Sequence, residues 1–356
     1  MSVEEKTFEV EKTSNSRLLE TDFENLQFGR VFSDHMFLAE YEDGEWTSAK
    51  IMPYGDMAFS PASCVFHYGQ AIFEGLKAHK TPSGEILLFR PIENWKRLNR
   101  SADRMCIPEV PEHIFIEGIR QLVDLDRNWI PDGEGKALYI RPFLIADDAF
   151  LGVKPSLRYK FMIITSPTSN YYSGAVNVKV ETKYSRACLG GIGAAKAAAN
   201  YAASLYPAMR AQKDGFHQLV WTDSETHEYI EESGTMNIMF VIDGNLITPS
   251  IDRDTILPGI TRDSIVHLAK QWGMHVEERR ISVKEIKQAI DNGTLQEAFG
   301  VGTAATIAPF ASIGFEDLNH KMSDFNSWEF AMKAKDYLEN LKRGSQKDEF
   351  SWTLKV

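Results

Sequence analysis

Two periodicities divide the apolar and polar positions of this chain into elements. Short runs rich in β-branched and aromatic residues predict strands. They include EILLFRP at 85–91, which ends on Arg90 and Pro91, ALYIRPFLIA at 137–146 and KFMIITS at 160–166. Between them Phe115, Ile119, Leu122 and Val123 recur at helical spacing. SPTSNYYSG at 166–174 gathers turn residues behind a buried strand, and it predicts an interdomain linker. Domains over 1–165 and 175–356 follow from it. In the second half, VNVKVE and QLVWTD read as strands, and TMNIMFVIDGNLITP reads as a hairpin turning at Asp243-Gly244. Ile265, Leu268, Ala269 and Trp272 form one apolar helical stripe just after LPGIT. Ser282 with Glu285 makes a capping box, Gly293 marks the stop of that helix, and a last helix runs around Trp328 to Leu341. The class is α/β or α+β: a small N-terminal α/β domain and a larger C-terminal one. The expected cleft between them is a common kind of ligand site.

Length and charge narrow the functions. A chain of 356 residues suits two domains, and its 43% apolar share can fill two cores. The net charge of -11 argues against a nucleic-acid partner, which needs clustered Lys and Arg, but leaves room for a local cationic pocket. Cys64, Cys106 and Cys188 are far apart and odd in number, as expected in a reducing compartment. The His residues lack ligand spacing, so no metal site is expected. No run approaches a membrane span. MSVEEKTFEVEK is rich in Glu, without the apolar core of a signal peptide or the Arg of a transit peptide. A cytoplasmic protein is expected.

The most unusual segment is LGGIGAAKAAANYAAS at 189–204, in which Lys196 is the only charge. Small side chains surround the amine and give it no counter-ion in sequence. A neutral amine sequestered in this way could attack an aldehyde. An exposed lysine on an alanine-rich helix fits the segment equally. A P-loop does not, because Gly193 stands two residues too early and Ala197 follows the lysine where a hydroxyl is needed. A dinucleotide fingerprint would need glycine at Lys196.

Other segments add weaker signals. In YIEESGTMN (229–237), Glu232 lies in an otherwise apolar strand region, where a carboxylate could pair with a protonated pyridine nitrogen. An ordinary salt-bridged glutamate at a strand end is the alternative. LPGITRDS (257–264) puts a tight turn before a helix, so the N–H groups of Ile260 and Thr261 could bind a phosphate. An ordinary helix start reads the same way. FGVGTAAT (299–306), with Thr303, could form a second phosphate-contacting turn. Arg90 could add a fixed cation.

Taken together, FEGLKA (73–78), LFRP (88–91), YIRP (139–142), GAAKAAANY (193–201), EESGTMN (231–237), LPGITR (257–262) and GTAAT (302–306) resemble fold-type IV pyridoxal-phosphate enzymes. Within these they are most similar to the branched-chain amino acid aminotransferases, in order from about Phe66 to Thr306. The resemblance implies a two-domain enzyme with pyridoxal 5'-phosphate in the interdomain cleft. Lys196 would carry it as a Schiff base and then shuttle the proton between Cα and C4′. Glu232 would pair with the ring nitrogen, and Tyr201 with the phenolic oxygen. Arg90, Ile260, Thr261 and Thr303 would hold the phosphate. Tyr68, Phe73, Tyr139, Arg141, Tyr171 and Ala304 would line the substrate pocket. Val153 would reach into the partner subunit's site, which implies a homodimer. The implied reaction moves the amino group of leucine, isoleucine or valine to 2-oxoglutarate. FEGLKA and YIRP favour this type over D-amino acid aminotransferases and aminodeoxychorismate lyases of the same fold. Some members carry a CxxC pair where Ala305 and Ala308 stand here, so thiol regulation of that kind is not expected. Many have Gly-Gly where Ala198-Ala199 follow the lysine, which bears on the space near the ring.

Overall fold

Strand propensity and helical periodicity are realised in separate layers. A computed structural model describes residues 7–169 and 174–356. The chain divides into two units. The first is Met1–Tyr171, Ala195–Ala199 and Asn340–Val356, and the second is Tyr172–Ala194 and Asn200–Glu339.

The first unit holds β1 (Glu9–Val10), β2 (His35–Glu42), β3 (Glu45–Pro53), β4 (Ala71–Phe73), β5 (Leu76–Lys80), β6 (Ile86–Phe89), β7 (Ala137–Ala146) and β8 (Tyr159–Thr168). Its helices are α1 (Cys64–Tyr68), α2 (Pro91–Arg104) and α3 (Glu112–Leu125). The second unit holds β9 (Val176–Glu181), β10 (Gln218–Thr222), β11 (Tyr229–Ser233), β12 (Met236–Ile242), β13 (Asn245–Thr248), β14 (Val276–Glu278), β15 (Ile281–Ser282), β16 (Leu295–Gly302), β17 (Thr306–Gly314) and β18 (Asn319–Lys321). Its helices are α5 (Ile260–Gln271), α6 (Val283–Asp291) and most of α4 (Ala198–Lys213) and α7 (Phe330–Lys342), the first two residues of α4 and the last three of α7 falling in the first unit. The tail ends in β19 (Thr353–Lys355).

In the first unit one sheet runs β1-β3-β2-β8-β7-β5-β6-β19, with β4 also on β7. β7 and β8 pair antiparallel along their whole length, from Ala137↔Thr168 to Ala146↔Tyr159. Residues 166–168 of the expected linker therefore extend β8 and do not form a turn, and residues 170–173 lie outside the described residues. The predicted helix through Phe115, Ile119, Leu122 and Val123 is α3, and all four side chains are buried. Its apolar face covers the sheet beside Phe37 and Phe161, as burial of a helical stripe requires.

The second unit's sheet runs β14-β13-β12-β16-β17-β9-β10-β11-β15. β11 also pairs with β12, through Glu232↔Asn237 and Ser233↔Met236. The path β12-β16-β17-β9-β10-β11 thus closes on itself, and closure removes edges that would otherwise be open. In β9, Val176, Val178 and Val180 face the core, alternating with half-buried Asn177, Lys179 and Glu181. Asp243 and Gly244 take positive φ at the β12–β13 turn, as the Asp-Gly pair predicts. Ser282 accepts the Glu285 N–H at 3.0 Å and caps α6.

The sequence reading kept the C-terminus with the second domain. Residues 340–356 fall in the first unit instead, because β19 pairs with β6, Thr353↔Phe89 and Leu354↔Leu88. Residues 195–199, including Lys196, also belong to the first unit. Among the described residues no helix is long and apolar enough to cross a membrane.

Candidate active site

Lys196 stands just before α4, between buried Ala195 and Ala197, and is itself half-buried. It is therefore not an exposed lysine along an alanine-rich helix. Backbone contacts pin it: its N–H donates to Ser101 Oγ at 2.9 Å and its carbonyl accepts the Phe73 N–H at 3.0 Å. Ala197 forms a β-bridge with Ile72. Lys196 Nζ lies 4.8 Å from the centre of the Phe73 ring, and the Arg141 guanidinium lies 4.5 Å from the same ring. One aromatic ring thus lies close to two basic groups.

The absence of a counter-ion in sequence does not carry into space. Glu74, next to Phe73 in FEGLKA, is fully buried, and it answers two charges. Arg97 of α2 grips it with a fork: Nε donates to Oε1 and Nη2 to Oε2, each at 2.8 Å. Asn94 Nδ2 adds a bond at 2.8 Å. Burial opposes the charge on Glu74. Arg97, and after it the positive charge of Lys196, outweigh burial and hold the carboxyl below the usual range. Gly75 follows, and any Cβ there would stand 2.2 Å from Tyr139 Oη. The glycine leaves the space in which Tyr139 Oη accepts Arg141 Nη2 at 2.9 Å.

The first unit therefore brings Lys196, Phe73, Tyr139 and Arg141 together. Arg90 begins α2 from the end of β6. Tyr68 ends α1 and is exposed, and Val153 is 88% exposed outside any regular element. Among the described residues, no hydrogen bond or ring contact joins either to this cluster. Tyr171 lies outside the described residues.

A second cluster forms within the second unit. Glu232, 4% exposed on β11, accepts the Leu257 N–H at 2.8 Å and Asn237 Nδ2 at 3.4 Å through Oε1. Its Oε2 lies 2.9 Å from Arg186 Nε. Arg186 also donates to the Thr255 carbonyl and, at 3.4 Å, to that of Gly193. Asn237 donates to the Leu257 carbonyl at 2.9 Å, so the EESGTMN and LPGITR segments are tied side to side. A Cβ on Gly259 would fall 1.9 Å from Asn237 Oδ1, so only glycine allows this approach. α5 then begins at Ile260, with Thr261 in its first turn and no side chain capping the end. Such an end favours anions through its amide donors and dipole. β16 runs beside β12 in the register Asn237↔Val301, which brings Thr303 and Ala304 to the turn just beyond that pair. Tyr201 lies in the first turn of α4.

These residues fit the cofactor that the resemblance implies. A buried acid, a helix N-terminus without a side-chain cap and a hydroxyl-bearing turn share one end of one closed sheet. The sequence reading missed Glu74, Arg97 and Arg186. Arg97 and Arg186 lie on segments with no motif of their own, and only long-range pairing reveals their partners.

Comparison with known proteins agrees with this geometry. The family model for class IV amino-transferases matches residues 71–313. The branched-chain-amino-acid aminotransferase 2 of Bacillus subtilis (strain 168) is 45% identical, over 99% of this chain and 97% of its own. The branched-chain-amino-acid aminotransferase of Mycobacterium tuberculosis is 41% identical over 92% of each chain. The crystal structure of the branched-chain amino acid aminotransferase of Escherichia coli superposes with a TM-score of 0.73, at 26% identity, over 90% of this chain and 98% of that one. The chain belongs to the class IV aminotransferases, pyridoxal-phosphate-dependent enzymes, and among them to the branched-chain-amino-acid aminotransferases.

Proposed function

We propose that the enzyme reversibly transfers the amino group of leucine, isoleucine or valine to 2-oxoglutarate, giving the branched 2-oxo acid and glutamate. The observation that carries this reading is the Phe73 ring beside both Lys196 and Arg141. One pocket has to accept an aliphatic side chain in one half-reaction and a second carboxylate in the other. Phe73 and Tyr139 supply apolar surface, and Arg141 supplies a planar donor for a carboxylate. Tyr68, Tyr171 and Ala304 complete the pocket in this reading.

Arg90, Ile260, Thr261 and Thr303 would hold the cofactor's phosphate, Tyr201 its phenolic oxygen and Glu232 its ring nitrogen. Bound pyridoxal phosphate supplies an aldehyde that condenses with amines and a ring that withdraws electrons. Lys196 would be its covalent anchor, and its amine would take the proton from the donor Cα. Glu232, kept in place by Arg186 and the Leu257 amide, would hold a proton on the ring nitrogen.

We also propose a homodimer in which Val153 enters the partner subunit's site, which fits the exposure of that side chain. Cytoplasmic residence fits the free thiols of Cys64, Cys106 and Cys188. Steady-state kinetics test the substrates. Turnover of leucine, isoleucine and valine with 2-oxoglutarate is expected, and no turnover with leucine plus 2-oxoglutarate would contradict the reading.

A further inference from the structure

Arg90 adopts a backbone conformation that few residues other than glycine take. Its φ of 50° and ψ of 44° lie in the left-handed region, directly before Pro91 and α2. Conformations of this kind persist where their surroundings fix them. The surroundings here come from the far end of the chain. The Arg90 N–H donates to the Trp352 carbonyl at 2.6 Å, and the Arg90 guanidinium lies 5.1 Å from the centre of a Trp352 ring.

Trp352 is itself built into place. Its ring packs on Phe350, with centroids 4.4 Å apart, and meets Phe89 edge-on at 5.9 Å. Asp348 organises the preceding turn: Oδ1 accepts the N–H groups of Phe350 at 3.2 Å and Trp352 at 3.0 Å. Its Oδ2 accepts the Thr353 N–H and hydroxyl, each at 2.7 Å. Burial opposes the Asp348 charge, but these bonds hold its carboxyl below the usual range. Ser351, at φ 55°, makes the bend, and β19 locks the tail onto β6.

We propose that the C-terminal segment 348–355 is a positioning element for the cofactor's phosphate, with Trp352 as the residue that sets the Arg90 guanidinium. The proposal rests on the reading of Arg90 as a phosphate ligand. Arginine recognises phosphate through a planar fork, and a long, flexible stem loses affinity if that fork is free to rotate. An indole face against the guanidinium restricts the rotation of its plane, and indole is the strongest such partner among the side chains. The shared hydrogen bond fixes the base of the same stem. A tail serving only stability would affect every ligand of the site alike. A tail that orients Arg90 affects only ligands that carry phosphate.

The test uses the full chain, stripped of cofactor and titrated by absorbance with pyridoxal phosphate and, separately, with pyridoxal. In Trp352→Leu, affinity for pyridoxal phosphate is expected to fall about three- to tenfold, with pyridoxal affinity unchanged. Trp352→Phe, which keeps a ring face, should recover most of that loss. Arg90→Gln should abolish most of the preference for the phosphorylated ligand. Equal weakening of both ligands in Trp352→Leu, or no weakening of either, overturns the proposal and leaves the reading of Arg90 standing. A parent-like preference in Arg90→Gln overturns the reading of Arg90 and the proposal with it. Should Trp352→Leu fail to fold, Trp352→Phe decides alone: a smaller loss confined to pyridoxal phosphate supports the proposal, and parallel losses refute it.

Discussion

Each unit of this enzyme buries a glutamate beside an arginine, and the two pairs are built differently. Glu74 in the first unit meets Arg97 through two parallel bonds of 2.8 Å, with Asn94 as a third donor. Both of its oxygens are taken up by α2. Glu232 in the second unit meets Arg186 through a single approach of 2.9 Å, and its other oxygen accepts from the Leu257 amide. Arg186 in turn spreads its donors over the carbonyls of Thr255 and Gly193. The first pair is a closed fork that holds the strand carrying Phe73 and stands near Lys196. The second is an open arrangement that joins the strand of Glu232 to the turn before α5. Similar residue types thus form a brace in one unit and, in the proposed reading, a working group in the other. The distinction lies in how the donors are distributed.

The largest effect should come from opening the closed fork. Removing one partner of a buried pair leaves an uncompensated charge, at a cost of about 3–5 kcal/mol. Glu74→Gln is therefore expected to lower the unfolding free energy by about that amount in urea titrations. A loss under about 1 kcal/mol would show that Arg97 is satisfied without Glu74.

Glu232→Gln should cost less stability and more activity. Arg186 keeps its carbonyl acceptors, so stability should fall by only about 1–3 kcal/mol. Activity should suffer more, with kcat/KM down about a hundredfold, the scale for removing one group that stabilises developing charge. Near-parent activity would remove Glu232 from the chemistry. Gly259→Ala tests the tie between the segments, because its methyl must displace Asn237. A destabilisation of about 1–3 kcal/mol is expected from such overpacking.

The smallest effect concerns Glu231. Burial, with repulsion from Glu232 and Asp223, outweighs its bond to Thr255 and the charge of Arg186, and raises its carboxyl above the usual range. A raised folded-state value means that the native state holds the extra proton. The associated stability is present below the unfolded value and is lost as pH rises through the folded one. The urea midpoint of the parent should therefore decline, relative to Glu231→Gln, as pH increases from about 4. Parallel pH profiles would show that the native environment leaves Glu231 unshifted.

Local chemistry was legible in the sequence wherever neighbours along the chain determine structure. The Asp243-Gly244 turn, the Ser282 cap and the start of α5 at Ile260 all follow from adjacent residues. Features set by distant pairing were not legible. The turn residues at 166–168 are drawn into β8 by Ala137, Leu138 and Tyr139. The tail SWTLKV is too short to announce a strand, yet β6 recruits it. The FGVGTAAT segment, which suggested a phosphate-contacting turn, carries Gly300. This glycine lies inside β16, where a Cβ would meet Met236 Cε at 2.6 Å, so its small size serves packing. Of the site, motif order made the family readable, whereas Glu74, Arg97 and Arg186 emerge only once the sheets bring them together.

The account depends on the amine at position 196 being the group that bonds to pyridoxal phosphate. Borohydride reduction of the holoenzyme, followed by proteolysis and mass spectrometry, measures this directly. The account predicts a pyridoxyl adduct on Lys196 and on no other lysine. An adduct on a different lysine, or none on an enzyme shown to contain the cofactor, would contradict it.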